Sequence, residues 1–349
     1  LLDLCMDAGK AQPAPGDPVT MQSCSAGLTS QTWAYAENLQ IVLVSSQTPS
    51  RPFGMCIDAG GYPRAGSNPV LMQPCQAEAP ALFRQQWSFN DSANLVGSNS
   101  TGTNTDGYCL NVKGPNKPGS ELVAVKTCAG GYNNVNTFSA DAAVGAGQAG
   151  SQQPGRYVGQ LINYHQFGRC LDDTGQNPNA THMIAWPCKQ NPNPNLVAWN
   201  QRYALPRIPS LDDPAQAGKV TNKASGTITT VYTPTGITYC LQSPGSPALY
   251  QYVTTKLCTG GANQHWTVYG HTNQYATSYT IVDSTGKYCL QPRDPDATTP
   301  DIFQAVNKIS KIYVGLCSGT TLQKWNADKN VIGALALKDV VETPQKTTD

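Results

Sequence analysis

Cys5-Met6-Asp7-Ala8-Gly9 returns almost unchanged as Cys56-Ile57-Asp58-Ala59-Gly60. Weaker copies follow at Cys109-Leu110-Asn111, Cys170-Leu171-Asp172, Cys240-Leu241-Gln242 and Cys289-Leu290-Gln291. Each opening cysteine has a second one downstream: Cys24, Cys75, Cys128, Cys188, Cys258 and Cys317. Beyond the second cysteine, four copies carry Gln-x-Trp, at Gln31-Thr32-Trp33, Gln85-Gln86-Trp87, Gln264-His265-Trp266 and Gln323-Lys324-Trp325. A motif that recurs at a regular period is one supersecondary unit, repeated because a single copy cannot bury its own apolar face.

The unit has a physical reading. Cys-x-Asp alternates apolar and polar residues, as a half-buried strand does. A turn-forming stretch follows, such as Lys113-Gly114-Pro115-Asn116-Lys117-Pro118-Gly119. A second alternating segment, Val19-Thr20-Met21, Val70-Leu71-Met72 or Leu122-Val123-Ala124-Val125, then leads to the second cysteine. Two strands joined by a turn, each with a cysteine, make a hairpin closed by a disulfide. The expected bridges are Cys5–Cys24, Cys56–Cys75, Cys109–Cys128, Cys170–Cys188, Cys240–Cys258 and Cys289–Cys317. In the chain-entropy model, closing a loop the size of the first contributes about 3 kcal/mol. The recurrent tryptophan fills the core, because it buries a large area.

Two copies are irregular. The third has Asn136-Thr137-Phe138 in place of Gln-x-Trp. The fourth allows two registers, Val197-Ala198-Trp199 or Gln201-Arg202-Tyr203. The second is preferred, because Asn200-Gln201 then matches Asn263-Gln264 of the fifth copy, and the turn-forming insert Asn191-Pro192-Asn193-Pro194-Asn195 accounts for the extra length. Six units form two groups of three. The small, polar stretch from Ser139 to Arg156 has linker composition, so one domain is expected over residues 1–145 and a second over 157–349, with a C-terminal tail from Asp339. The two are expected to separate by proteolysis near residues 139–158.

Composition narrows the function. The 349 residues carry a net charge of +1 and only 13% charged residues, with no basic stripe interleaved with aromatics, so a nucleic acid is not an expected partner. The 12 cysteines are even in number and include no Cys-x-x-Cys pair, which favours disulfides over a metal site. Disulfides persist in oxidising compartments, so secretion is expected, with any leader already removed. There is no apolar run long enough to span a membrane as a helix. The four histidines, His165, His182, His265 and His271, fall in no catalytic motif, and no glycine-rich phosphate loop or cofactor-binding motif is present. His265, inside Gln-x-Trp, reads as a surface strand residue. Asn90-Asp91-Ser92, Asn99-Ser100-Thr101 and Asn179-Ala180-Thr181 match glycosylation sequons, which matter only in a eukaryotic host.

Cys-x-Asp, a second cysteine and Gln-x-Trp, three times per domain, resemble the ricin-type lectin family. The resemblance covers nearly the whole chain. It implies an all-β fold of two tandem β-trefoil domains, each a short barrel capped by three hairpins, and it implies glycan binding rather than catalysis. In that family a sugar pocket uses the acid two residues after the first cysteine, an aromatic ring two residues before the second, an Asn, and the Gln of Gln-x-Trp. The fourth copy has the full set in Asp172, Trp186, Asn200 and Gln201, and the Trp186 ring is expected to face outward over the pocket. The first copy keeps Asp7 and Gln31 but has Gln22 at the ring position. The second keeps Asp58 and Gln85, with Gln73 at the ring position, Arg84 in place of the Asn, and Tyr62 as a substitute ring from the loop. The third (Asn111, Lys126), fifth (Gln242, Lys256) and sixth (Gln291, Gly315) lack both acid and ring and read as structural repeats. The competing expectation is a targeting or adaptor subunit of a larger secreted assembly such as a toxin complex, with protein partners as well as glycans.

Overall fold

In every repeat the Cys-x-Asp segment and the segment before the second cysteine pair as an antiparallel hairpin. Leu4–Asp7 pairs with Thr20–Ser23, Met55–Asp58 with Leu71–Pro74, and Thr105–Val112 with Leu122–Val125. Arg169–Asp173 pairs with Met183–Pro187, Ile237–Gln242 with Thr254–Leu257, and Tyr288–Pro292 with Ile312–Leu316. This is a computed structural model, and it describes residues 4–25, 27–36, 38–64, 66–90, 94–126, 128, 159–163, 165–166, 169–206, 223–269, 280–294, 302–304 and 309–327. The segments 139–156 and 339–349, and Asn136-Thr137-Phe138, lie outside those residues. The described residues are strands joined by turns and short 3-10 segments, with no α-helix among them.

All six disulfides close within their own repeat, each joining the opening cysteine to the second. The sequence separation is 19 in each of the first three bridges and 28 in the last. The added length of the last repeat includes a small hairpin, Ile302–Gln304 with Ile309–Ser310.

The chain divides into two compact units, one containing the first three hairpins and the other the last three. In the first, the hairpins meet in a closed ring of backbone hydrogen bonds. Val19 N–H donates to Val70 O at 3.5 Å, Val70 N–H to Leu122 O at 3.0 Å, and Leu122 N–H to Val19 O at 2.9 Å. These three residues occupy the same place in successive repeats and are at most 1% exposed. They mark a pseudo-three-fold axis. In the second unit Met183 N–H donates to Val253 O and Val253 N–H to Ile312 O, at 3.1 and 3.0 Å, and all three residues are fully buried.

The strand that carries the tryptophan pairs with the strand leading into the next repeat. Trp33–Tyr35 pairs with Ile41–Leu43, Trp87–Phe89 with Leu95–Ser98, and His265–Tyr269 with Thr280–Asp283. In the second unit the last strand, Trp325–Ala327, pairs with the first, Leu161–Asn163, and closes the ring. Closure removes exposed strand edges. Three hairpins in three-fold order on a ring of strands are a β-trefoil; the described residues show the three-fold order in both units and the closing strand pair in the second.

Each unit has its own core. The first is built on Val19, Leu43, Met55, Ile57, Met72, Trp87, Leu110 and Leu122. The second is built on Leu161, Leu171, Met183, Tyr203, Leu241, Trp266, Leu290 and Trp325. Tyr203 stands in the core where other repeats place tryptophan. His265 is exposed on its strand, with Trp266 beside it 1% exposed.

Candidate functional site

The Gln of Gln-x-Trp is a clamp, and its geometry recurs. Gln31 Nε2 donates to Asp7 Oδ2 at 2.8 Å and to Ser23 O at 3.0 Å. Gln85 Nε2 donates to Asp58 Oδ2 at 3.1 Å and to Pro74 O at 3.0 Å. Gln201 Nε2 donates to Asp172 Oδ2 at 2.8 Å and to Pro187 O at 3.1 Å. Each amide thus ties the acid after the first cysteine to the carbonyl just before the second. This decides the register of the fourth repeat: Gln201-Arg202-Tyr203 is the counterpart of Gln-x-Trp. In the fifth and sixth repeats the clamp survives with an amide in place of the acid, as Gln264 donates to Gln242 Oε1 at 3.3 Å and Gln323 to Gln291 Oε1 at 2.5 Å.

The tryptophans close the other side of each unit. The indole N–H of Trp33 donates to Met6 O, and those of Trp87, Trp266 and Trp325 to Ile57 O, Leu241 O and Leu290 O, at 2.9 to 3.2 Å. Each acceptor is the residue after the opening cysteine. A buried indole needs such a partner, and this one fixes the ring on its own hairpin.

Three carboxylates therefore sit in one setting: Asp7 is 5% exposed, Asp58 3% and Asp172 2%. Asp7 and Asp58 each accept a second bond from the backbone, from Gly9 N–H at 2.6 Å and Gly60 N–H at 2.7 Å. Gly9 and Gly60 have φ of +74° and +78°, which glycine adopts without strain, so Ala-Gly after the acid is a turn that the carboxylate caps. Asp172 accepts instead from Asn200 Nδ2 at 3.0 Å, which also donates to Asp173 O.

The surroundings of these carboxylates differ. Beside Asp58 a cavity of about 210 Å³ opens, lined by Asp58, Ala59, Gly60, Gly61, Pro63, Asn68, Pro69, Leu71 and Gln73. The two hairpin strands of the second repeat and the loop after Asp58 form its walls. A carboxylate has about four acceptor positions, so Asp58 keeps acceptor capacity beyond its bonds from Gln85 and Gly60. Arg84 Nε stands 3.8 Å from Asp58 Oδ2, an ion pair at the position the family gives to Asn.

In the fourth repeat Asp172, Asn200 and Gln201 do come together. Trp186, on the paired strand opposite Cys170, is only 8% exposed. The expected outward-facing ring is corrected: most of its surface is covered, and it is not an open stacking platform. Tyr62 is half-buried. Its hydroxyl donates to Ser98 O at 2.5 Å and lies 3.1 Å from Phe83 O, and the cavity lining includes Pro63 but not Tyr62. Asn68 and Leu71 also line the cavity, and neither belongs to the motif positions that the sequence singles out.

No protein-family model matches the sequence, and no curated protein matches it. Among solved structures the chain is similar to the hemolytic lectin CEL-III, at 15% identity over 93% of this chain and 63% of that one, with a TM-score of 0.30. It is similar to the C-half of the earthworm R-type lectin in complex with GalNAc, at 16% identity over 38% of this chain and 84% of that one, with a TM-score of 0.26. It is also similar to the designed three-fold symmetric protein ThreeFoil, at 18% identity over 48% and 94%, with a TM-score of 0.30. Likeness at these scores carries no functional argument, and the fold stands on the strand pairing above.

Proposed function

We propose that this chain binds carbohydrate without transforming it, and that the cavity beside Asp58 is its first site. The cavity of about 210 Å³ carries the reading, with a buried, pre-clamped carboxylate on its wall and amides at Asn68 and Gln73. A saccharide presents paired hydroxyls and a C–H face. The carboxylate and amides suit the first, and Pro63, Pro69 and Leu71 suit the second. Gln85 holds Asp58 at 3.1 Å, so the acceptor is fixed before a ligand arrives. Fixing it in advance reduces the ordering cost of binding.

The Asp172, Asn200 and Gln201 constellation of the fourth repeat is the second site to test, because its three polar groups converge as the lectin resemblance requires. Glycan binding at the cell surface from a secreted, disulfide-stabilised protein is the role we assign. The alternative is a targeting or adaptor subunit of a secreted assembly. It would show as co-purification with a partner chain and no glycan binding.

A glycan array followed by calorimetric titration with lactose tests the proposal. A single shallow pocket corresponds to a Kd on the order of millimolar to high micromolar. Asp58→Asn should weaken lactose binding while the circular dichroism spectrum stays that of the wild type. Wild-type protein that binds no glycan on the array would refute the proposal.

A further inference from the structure

We infer that the third repeat, which carries none of the saccharide-binding residues, braces the loop wall of the Asp58 cavity through Asp106 and Tyr108, acting on Arg64. This rests on the proposed site at Asp58. The loop that lines the cavity at Ala59, Gly60, Gly61 and Pro63 runs directly into Arg64. The Arg64 side chain is fully buried, with Nη1 2.6 Å from Asp106 Oδ2. Its guanidinium lies over the Tyr62 ring at 4.9 Å and donates from Nη2 to the Tyr62 hydroxyl at 3.2 Å. The Tyr108 hydroxyl donates to the Arg64 backbone carbonyl at 2.6 Å. Asp106 and Tyr108 belong to one strand of the third repeat, Thr105–Val112, and the Tyr108 N–H donates to Asp106 Oδ1 at 2.9 Å.

Side chain and backbone of Arg64 are thus both held from the next repeat. The packing leaves no slack. A Cβ added at Gly97 would come within 1.9 Å of Arg64 Nη1, so any side chain there would displace the guanidinium. Tyr62, anchored to Ser98 O, ties the middle of the loop to the same wall. Burying a charge pair is costly, and truncating one partner leaves the other charge unpaired in a covered site. The guanidinium also lies 5.9 Å from the ring centroid of the core residue Trp87, so the pair links the loop that borders the cavity to the core. Asp106 and Tyr108 are positioning residues that touch Arg64, not the cavity.

The test uses the full chain with three readouts: lactose titration, segment-resolved hydrogen exchange, and thermal melting as a folding control. Asp106→Asn keeps the side-chain volume and removes the charge. It should speed exchange across residues 59–66 while the disulfide-closed strands around Cys56 and Cys75 stay protected, and it should weaken lactose binding about tenfold through lost preorganisation. Asp106→Glu, which returns the carboxylate, should recover part of that loss. Tyr108→Phe removes one hydroxyl and keeps the ring, so it folds even if Asp106→Asn does not, and about a threefold weaker affinity is expected from the looser carbonyl. Glu121→Gln, at an exposed ion pair with Lys113 in the same repeat, should bind as the wild type does. Unchanged exchange of residues 59–66 in both Asp106→Asn and Tyr108→Phe overturns the brace. So does a loosened loop with wild-type lactose affinity. If the wild type binds no lactose, it is the galactose-type saccharide reading that fails, and the brace is decided by the exchange of residues 59–66 alone.

Discussion

Asp58 and Asp172 occupy the same point of the repeat, buried to the same degree and held by the equivalent glutamine, yet their neighbours differ. Asp58 borders an open cavity, and Gln73 stands where the family places its ring. Asp172 has the full complement of motif residues, with Asn200 and Gln201 both donating to it and Trp186 on the paired strand, but that ring is 8% exposed. The contrast separates two properties that a motif joins together. The acid and glutamine form a structural clamp wherever they occur, as the amide versions at Gln242 and Gln291 also show. The cavity beside Asp58 is lined by other residues of the same repeat. A complete motif is therefore a statement about the hairpin, and solvent access is a separate fact.

The largest expected effect breaks the comparison at Trp186. A ring so covered is part of the packing, and truncating a buried tryptophan typically costs about 3–5 kcal/mol. Trp186→Ala should lower the melting temperature of the second unit and leave that of the first unchanged, read by calorimetry. A variant that melts normally but loses glycan binding would restore Trp186 as a binding ring.

Next comes Asp58→Asn. It preserves shape and one acceptor oxygen but removes the charge, and we expect at least a tenfold weaker Kd for lactose, about 1.4 kcal/mol. Asp172→Asn should change that Kd less. Equal losses from the two would erase the distinction between the sites.

A gain should sharpen it further. Gln73→Trp grafts the missing ring onto the strand bordering the open cavity. A stacking contact worth about 1 kcal/mol would tighten lactose binding about fivefold. An unchanged Kd would mean that the cavity binds its saccharide edge-on.

The smallest effect is a pH dependence that should appear in one unit only. His182 precedes the axis residue Met183, and its counterpart in the first unit is Pro18. Its ring lies 5.4 Å from Phe303 and 5.8 Å from Tyr252, and its Nε2 is buried without a hydrogen-bond partner among the described residues. Desolvation, and then the positive charge of Lys311, lower its pKa below the ordinary 6.5. The folded state therefore prefers the neutral ring, and the unfolded chain binds the extra proton. Stability of the second unit should be complete above pH 6.5 and decline as the pH falls from there toward the lowered folded value. His182→Gln should flatten that decline, measured as melting temperature against pH.

Much of this was legible before any coordinates. Alternation of residues, turn chemistry and cysteine order led to six hairpins and their bridges, because those contacts are made within a repeat. The preference for Gln201-Arg202-Tyr203 rested on a two-residue match, and the clamp to Asp172 and Pro187 agrees with it. Tyr62, a tyrosine between glycine and proline in a loop, reads as an exposed ring, and the structure leaves it half-buried. The contacts that hold its hydroxyl come from Phe83 and Ser98, in segments that sequence spacing does not relate to it. Asp106 carried no signal at all, since an aspartate before Gly107 reads as a turn residue.

Local pairing is decided by the sequence, because a strand, a turn and a return strand interact across a short stretch of chain and a disulfide records the pairing. The tertiary structure alone decided that a cavity opens beside Asp58 and what holds the loop that lines it. The cavity is assembled from the hairpin strands and the loop after Asp58, and Arg64 meets Asp106 at 2.6 Å across a repeat boundary. The three-fold axis belongs to the same class: Val19, Val70 and Leu122 lie far apart in the chain, and their shared role exists only once three hairpins have met.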